Sequence, residues 1–401
     1  MEDTGSALSH LECAKTQKIY SADKLNNISA AGAPLLARYD LQKVKDSVSK
    51  SELAKRPPNM WRYREVLPVR ESSNIVSLKE GFTPIYELPK LANFLGVENL
   101  LIKDESTNPG DTFKARGASV AISRAMELGA KTLAIATNGN AGEALAIYGA
   151  RAGIHIIVIM PLDAQKISQK ICALSGADTY LVNGTIYDAG KIIETGVQKE
   201  NWFNVSTFKE PYRLEGKKTI GYEIVEQLGW NFPDVIIFPT GGGMAIAAMY
   251  KAFLELKELG WVHGTFPRLI AVQAEKCSPL VKAFEGRKPE SEFFSEAQTF
   301  ANGLRVPKSF GDFLVLEAIY NTNGSAITVT DEEIRKSIDL VSTLEGVFLC
   351  PEAAAMVPGL QKLLEKGVIN KSEQILLLGT GSGLKYPDSI NIPNLKILNV
   401  N

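Results

Sequence analysis

The 401-residue sequence is poor in two residue types that often build reactive sites, cysteine and histidine. It has four cysteines and three histidines, and they are scattered along the chain. This pattern argues against a disulfide framework, a zinc hydrolase site and a histidine-based catalytic triad. A few widely spaced cysteines are typical of proteins in a reducing compartment, so we expect a cytoplasmic protein.

The sequence also lacks a strong excess of charge and a long apolar run. The formal net charge is −1, which gives no electrostatic reason to expect nucleic acid or an anionic membrane as a partner. No apolar stretch reaches the roughly 18 residues needed to span a bilayer. The first residues, MEDTGSALSH, begin with acidic side chains, unlike a secretory signal peptide. A soluble globular enzyme is the expected class.

From about Val66 the sequence alternates between apolar strand runs, glycine-containing turns and helical patterns. Such alternation predicts parallel strands with helices on both faces of each sheet. We therefore predict an α/β fold with two open, mostly parallel αβα subdomains and a ligand cleft between them, beyond the carboxyl ends of the strands. The Pro57-Pro58 pair predicts a boundary between an N-terminal extension, 1–60, and a catalytic region, 61–401.

Four polar, glycine-containing turns follow the predicted strands, and TGGGMA (240–245) is the richest in glycine. A glycine turn that opens a helix exposes backbone N–H groups, and the helix dipole favours an anion there. Glycine also lets a phosphate approach the backbone closely. The turn has neither a following GK[ST] nor a GxGxxG pattern, so it is not a Walker loop or a dinucleotide fingerprint. An ordinary strand–helix turn remains the alternative.

Lys114 closes another of these turns, NPGDTFK, at a predicted helix start. Most lysines are solvent-exposed charges, but one beside an apolar wall has a lowered pKa and can act as a nucleophile. A reactive lysine combined with a phosphate cradle suggests pyridoxal phosphate, which also needs partners for its phenolic oxygen and its ring nitrogen. Asn140 and Thr380 are the candidates, although each could instead be an ordinary turn or strand-end residue. A hydroxyl at the ring nitrogen suits elimination and replacement better than transamination.

The ordered motifs from about Trp61 onward resemble those of the fold-type II pyridoxal-phosphate enzymes, and among these the threonine synthases. This resemblance implies the fold of the tryptophan synthase β-subunit, with the cofactor in the cleft, and a homodimer. The motifs are EGFTP (80–84), KDESTNP and TFKARG (103–117), TNGNAG (137–142), EPYRLEGKKT (210–219), PTGGGM (239–244), EGVFLCPEAAA (345–355) and TGSGLK (380–385).

The resemblance also implies roles for the residues of a pyridoxal 5′-phosphate site, and no metal. Lys114 would bind the cofactor covalently and then act as the acid and base. Asn140 would contact O3′ of the cofactor, and Thr380 would face its pyridine nitrogen. The cofactor phosphate would be held by the backbone amides of Gly241, Gly242, Gly243, Met244 and Ala245.

Arg213, in YRLEGKKT, matches an arginine that binds the phosphate of the substrate in threonine synthases. A guanidinium can grip a phosphate with two parallel hydrogen bonds. The implied reaction is the conversion of O-phospho-L-homoserine and water to L-threonine and phosphate, by γ-elimination and β-addition. The nearby Lys209, Lys217 and Lys218 would also favour a phosphorylated amino-acid substrate.

Two other interpretations remain open. One is a related enzyme, either a threonine or serine dehydratase or a phosphoserine-using β-replacement enzyme. The other is a catalytically silent homologue that binds a ligand or a protein partner. The retained Lys114 argues against the second of these.

Several residues depart from the family pattern on the expected substrate side. Asp111 stands before Thr112 where the family commonly has Thr-Gly-Ser ahead of the Phe-Lys pair, and Glu210 replaces an asparagine. A carboxylate beside two phosphates is electrostatically unfavourable unless it points away or caps a helix.

The extension, 1–60, resembles the small zinc ribbon that precedes some threonine synthases. Of its expected ligands only Cys13 is present, and the other places are taken by Thr16, Ile28 and Ala31. One thiolate cannot complete a tetrahedral site, so we expect no structural zinc.

Overall fold

The computed structural model describes residues 5–390, 395 and 397–398, and it contains three β-sheets. The strands are β1 Leu8–Cys13, β2 Ile19–Tyr20, β3 Leu35–Tyr39, β4 Ile85–Glu87, β5 Asn99–Asp104, β6 Thr132–Ala136, β7 His155–Pro161, β8 Asp178–Val182, β9 Phe203–Asn204, β10 Val235–Pro239, β11 Arg268–Ala274, β12 Ser325–Val329 and β13 Gln374–Gly379.

The helices cover the faces of the sheets, and within the described residues none is long and apolar enough to cross a membrane. They are α1 Leu41–Ser47, α2 Lys50–Leu53, α3 Pro89–Leu95, α4 Lys114–Glu127, α5 Asn140–Ala152, α6 Lys166–Leu174, α7 Ile186–Glu200, α8 Tyr212–Gln227, α9 Met244–Glu258, α10 Pro279–Glu285, α11 Asp312–Asn321, α12 Asp331–Glu345, α13 Pro351–Ala354 and α14 Met356–Glu365. The 3₁₀ helices are Met60–Val66, Ser72–Asn74, Glu105–Thr107, Asn302–Leu304, Gly383–Lys385 and Pro387–Ser389.

The larger sheet has the strand order β12-β11-β10-β13-β5-β4. All its neighbours pair in parallel except β4, which lies antiparallel at the edge. The central strands β10 and β13 are almost entirely apolar and buried, as expected for parallel strands with helices on both faces. The carboxyl ends of β5, β10 and β13 therefore meet at one edge of the sheet.

The smaller sheet is wholly parallel, with the order β8-β7-β6-β9. The chain enters it after α4, leaves it through the short strand β9, and returns to the larger sheet by way of α8 and β10. The predicted fold of two mostly parallel α/β subdomains is therefore correct. The second subdomain is an insertion between β5 and β10 of the first.

A close contact between α4 and α8 joins the two halves. Gly216 on α8 lies against the backbone of α4, and a Cβ atom there would come within 2.1 Å of the Arg116 carbonyl oxygen. Only glycine fits such an approach, so this residue determines how closely the helices pack. As a result Lys114, which starts α4, and Arg213, in the first turn of α8, face the same space.

A fully buried ion network lies beside this helix contact. The Arg116 guanidinium pairs with Glu105 and with Glu223, and the Nε–Oε2 distance to Glu105 is 2.6 Å. Lys103 pairs with the other oxygen of Glu223 at 3.0 Å. None of these four side chains is exposed, so each charge in the network is matched by a charge of the opposite sign.

The N-terminal segment forms an antiparallel sheet with the order β2-β1-β3, which we call the N-terminal ribbon. The buried thiol of Cys13 donates a hydrogen bond to Ser29 Oγ at 3.1 Å. Ile28, which stands next to Ser29 at one of the expected ligand places, is exposed. Within the described part of the chain, no three histidine, cysteine or acidic side chains are grouped to hold a metal.

Candidate active site

A cavity of about 460 Å³ lies where the carboxyl ends of both parallel sheets meet. Its walls come from the turns after β5, β6, β10 and β13, and from the start of α8. All nine residues predicted from the sequence line this one cavity, namely Lys114, Asn140, Arg213, Gly241, Gly242, Gly243, Met244, Ala245 and Thr380.

Lys114 is the first residue of α4 and its amine lies 4.0 Å from the centre of the Phe113 ring. Burial lowers the pKa of this amine to about 7, and the nearby Arg213 charge lowers it further, while Glu352 and Cys350 oppose the shift. Near neutral pH a large fraction of Lys114 is therefore uncharged. An uncharged amine is the nucleophile that attacks an aldehyde.

The glycine turn after β10 forms the opposite wall. A Cβ atom on Gly241 would lie 2.1 Å from the carbonyl oxygen of Gly303, so no larger residue fits. Helix α9 begins directly after the turn, at Met244. The turn therefore directs the first free backbone N–H groups of α9 and the positive end of its dipole towards a ligand, which makes it suitable for a phosphate.

Asn140 is held by two neighbours that the sequence analysis did not identify. The Lys385 amine donates a hydrogen bond to Asn140 Oδ1 at 2.9 Å, and Asn140 Nδ2 donates to the Tyr386 hydroxyl at 2.8 Å. An ammonium group can only donate, so Lys385 determines which end of the amide faces it. Lys385 also forms an ion pair with Glu143, which lies on α5 together with Asn140. The amide orientation is thus fixed before any ligand binds.

Thr380 follows β13 and is buried at the wall of the cavity. Its Oγ1 lies 3.7 Å from the sulfur of Cys350. Burial, together with the negative charge of Glu352, raises the pKa of the Cys350 thiol far above its usual range. The two groups that meet here, a hydroxyl and a protonated thiol, are therefore both neutral.

Arg213 and Lys217 form a basic wall of the cavity near Lys114. This basic wall is separate from the glycine turn. Both side chains are buried, and burial lowers the pKa of each, with a further lowering of the Lys217 pKa by Arg213. Arg213 donates to the carbonyl oxygen of Val205, and Lys217 donates to the carbonyl oxygen of Arg213 at 3.2 Å. Among the described residues no carboxylate forms an ion pair with either cation. Burial therefore disfavours the charged forms of both side chains, and the negative charge of Glu210 opposes this only in part. An anion in the cavity would stabilise those charged forms.

Two further lysines were expected beside Arg213, and only one lines the cavity. Lys209 does, and its amine lies 4.0 Å from the centre of the Phe310 ring. Lys218 does not, because its amine is buried elsewhere and pairs with Glu215 at 2.7 Å and with Glu255 at 2.9 Å. The sequence prediction for Lys218 is therefore wrong.

The two acidic departures from the family pattern both lie outside the cavity wall. Asp111 is exposed and has a φ of 56°, a left-handed conformation that aspartate tolerates better than most residues. Glu210 is buried and accepts hydrogen bonds from the backbone amides of Tyr212 and Arg213 at the start of α8. Burial raises its pKa to about 6. Neither carboxylate faces the space where phosphates would bind.

Comparison with solved structures identifies the class of fold. The structure of processed threonine deaminase isoform 2 from Solanum lycopersicum matches with a TM-score of 0.65 and 23% identity, covering 77% of this chain and 86% of that one. Maize serine racemase matches with a TM-score of 0.63 and 19% identity, covering 75% and 88%. The chain has the fold-type II architecture that the sequence predicted.

A family model described as "Pyridoxal-phosphate dependent enzyme" matches residues 76–381, and the chain belongs to this family. The cofactor is therefore pyridoxal 5′-phosphate, and the glycine turn and the low-pKa lysine fit it. Curated relatives are threonine synthases. That of Methanocaldococcus jannaschii is 38% identical over 94% of this chain and 93% of the relative. That of Halalkalibacterium halodurans is 34% identical over 82% and 92%.

Proposed function

We propose that the enzyme acts as a threonine synthase, converting O-phospho-L-homoserine and water to L-threonine and phosphate. The observation that carries this proposal is that one cavity is lined by Lys114 and by two separate groups suited to anions, the glycine turn and the pair Arg213 and Lys217. The glycine turn suits the phosphate of the cofactor, and Arg213 with Lys217 suits a second phosphate on the substrate. A dehydratase acting on free threonine or serine would have no use for the basic wall.

The cofactor contacts follow from the cavity wall and remain proposals. Lys114 would bind the cofactor covalently, the amides of Gly241 to Ala245 would hold its phosphate, Asn140 would contact O3′ and Thr380 would face the pyridine nitrogen. When bound, pyridoxal phosphate supplies an electron sink for the negative charge left at the substrate Cα. The neutral Thr380 and Cys350 leave the ring nitrogen without an anionic partner, which favours elimination and replacement chemistry.

Lys114 is the group proposed to move protons. An amine with a pKa near neutrality can both accept and donate a proton at working pH, which is the optimum for a general acid–base catalyst. It would take the proton from Cα and one from Cβ as phosphate leaves, and it would return protons to Cγ and, after water has added at Cβ, to Cα. Arg213 and Lys217 stabilise the charge that develops on the phosphate as it leaves Cγ, and water adds at Cβ.

We also propose a domain organisation, a location and an oligomeric state for the protein. The extension, 1–60, would be a ribbon attached to a catalytic region, 61–401, and the protein would be a cytoplasmic homodimer. Light scattering of the purified protein at several concentrations would test the dimer, and a monomer at all of them would contradict it.

Product analysis with purified, cofactor-loaded protein tests the proposed reaction. Phosphohomoserine, phosphoserine, threonine and serine are supplied separately, and phosphate release is measured together with amino-acid analysis of the products. We expect equal amounts of phosphate and threonine from phosphohomoserine alone. If phosphohomoserine yields neither while another of these substrates is turned over, the proposal is wrong.

A further inference from the structure

The N-terminal ribbon contacts a segment of the cavity wall through the side chain of Asn27. Its Nδ2 donates hydrogen bonds to the carbonyl oxygen of Asn204 at 2.6 Å and to that of Lys209 at 3.0 Å. These contacts span more than 170 residues of sequence. Asn27 therefore grips both ends of the segment 204–209 at once.

This segment adjoins the basic wall of Arg213 and Lys217 and adds Lys209 to it, and Lys209 also pairs with Glu194 at 3.4 Å. It connects β9 of the smaller sheet to α8, and Asn204, Ser206, Thr207 and Lys209 all line the cavity. Arg213 follows in the first turn of α8 and donates to a carbonyl oxygen within the segment. A shift of the segment would move Lys209 and would remove the acceptor that orients the Arg213 guanidinium.

The loop that carries Asn27 is itself fixed to the body of the protein. The buried Arg124 on α4 donates to the carbonyl oxygen of Ala22 at 2.8 Å and pairs with Asp23 at 3.2 Å. Four residues later Asn27 reaches the segment 204–209. The ribbon thus connects α4, which begins at Lys114, to the segment 204–209 of the cavity wall.

We propose that Asn27 is a positioning residue for anion binding in the active site. By holding the two ends of the segment 204–209, it keeps Lys209 and Arg213 directed at the bound anion. The identity of this anion as the phosphate of the substrate rests on the proposed function. The N-terminal extension would therefore have a role in substrate binding.

The test compares three variants of the cofactor-loaded full-length protein. Asn27→Ala removes both hydrogen bonds, and Asn27→Asp replaces the donor with a carboxylate facing two carbonyl oxygens. The control is Asn26→Ala, because Asn26 Nδ2 donates only to Ser21 and Lys24 of its own loop. Inorganic phosphate serves as the probe, since the bound cofactor occupies the glycine turn. Its affinity is measured by calorimetry and the backbone exchange of 203–210 by hydrogen–deuterium exchange.

We expect Asn27→Ala to weaken phosphate binding roughly three- to tenfold, as for the loss of one or two modest hydrogen bonds. Backbone hydrogen exchange in 203–210 should become faster in Asn27→Ala. Asn27→Asp should change both the phosphate affinity and the exchange more strongly, whereas Asn26→Ala should match the parent in both. The visible absorbance of the cofactor in Asn27→Ala stays unchanged, because Asn27 does not touch the cofactor wall.

Equal phosphate affinity and equal exchange in Asn27→Ala and Asn26→Ala would overturn the proposal. A fall in the unfolding temperature of Asn27→Ala without a local change in exchange would also overturn it, since Asn27 would then be only structural. The outcome of this test can be distinguished from the outcome of the test of the proposed reaction. If the parent does not turn over phosphohomoserine, the phosphate affinities still decide the role of Asn27.

Discussion

Two buried arginines on neighbouring helices have opposite environments. Arg116 on α4 is wholly buried and pairs with both Glu105 and Glu223. Those carboxylates raise its pKa although burial alone would lower it. Arg213 on α8 is almost as buried, but its guanidinium donates to the carbonyl oxygen of Val205 and burial lowers its pKa.

The difference separates a buried charge that is paired within the fold from one that we propose binds a ligand. A buried cation without a counter-charge is expensive, so it persists only where something compensates the cost. The charge of Arg116 is fully compensated within the protein. For Arg213 and Lys217 the charge of Glu210 opposes the effect of burial only in part, so an anion that enters the cavity would stabilise them.

The largest effect is expected when the reactive amine between these regions is removed. Lys114→Ala should reduce turnover by roughly a thousandfold or more, because both the covalent attachment and the acid–base group are lost. The visible absorbance band of the attached cofactor should disappear, while the unfolding temperature stays close to that of the parent. A variant that keeps the band would show that the cofactor is attached elsewhere.

Breaking the compensated network should damage the fold. Arg116→Met leaves two buried carboxylates without their main partner, and we expect the free energy of unfolding to fall by about 3–5 kcal/mol. Urea denaturation followed by circular dichroism measures this change. A loss below about 1 kcal/mol would mean that the network is solvated or rearranges, and that the contrast with Arg213 is wrong.

The matched substitution at Arg213 should damage catalysis and leave the fold intact. Arg213→Met should lower kcat/KM for a phosphorylated substrate by roughly a hundredfold, as for a lost charge-assisted bidentate contact. The free energy of unfolding should be unchanged or slightly higher, because an unpaired buried charge is removed. Steady-state kinetics and urea denaturation of the same preparation test both parts, and a destabilised variant would contradict them.

The rate of cofactor attachment should reveal the lowered pKa of Lys114. Only the neutral amine reacts, so with a pKa of about 7 the rate of reconstitution of the apoenzyme should rise about tenfold between pH 6 and pH 8 and then level off. Stopped-flow absorbance after mixing with pyridoxal phosphate follows this rate. A rate that still rises steeply above pH 9 would indicate an ordinary lysine.

A smaller effect is expected at Asn140. Tyr386→Phe removes the acceptor of one amide hydrogen bond, while Lys385 still holds the other end of the side chain. The affinity for pyridoxal phosphate should weaken about fivefold, which corresponds to one modest hydrogen bond. Fluorescence titration of the apoenzyme measures it, and an unchanged affinity would show that Lys385 alone orients the amide.

The sequence was informative wherever a site residue directly follows a strand. Lys114, Asn140, the glycine turn and Thr380 all come after parallel strands, whose carboxyl ends must meet at the cleft. Their meeting in one cavity therefore follows from local pattern and topology together.

The sequence was less informative where a contact depends on packing. Asn27 and Tyr386 meet their partners across long stretches of chain, and no local pattern indicates such contacts. The error at Lys218 was avoidable, because residues four apart share a helix face whereas residues five apart do not. From Arg213 that spacing selects Lys217 alone. Asp111 lies outside the cavity wall because its backbone has a left-handed conformation. The residues next to it in the sequence do not indicate that conformation.

The position of β13 has a consequence for how the enzyme is made. This strand lies between β5 and β10, so it separates two strands that are synthesised long before it. Until β13 leaves the ribosome, the edges of β5 and β10 that it will cover have no partner, and Thr380 is not yet present opposite Lys114. Such distant pairing slows folding and leaves intermediates prone to aggregation. A nascent chain that stalls before β13 would therefore have the reactive lysine but no complete pocket for its cofactor.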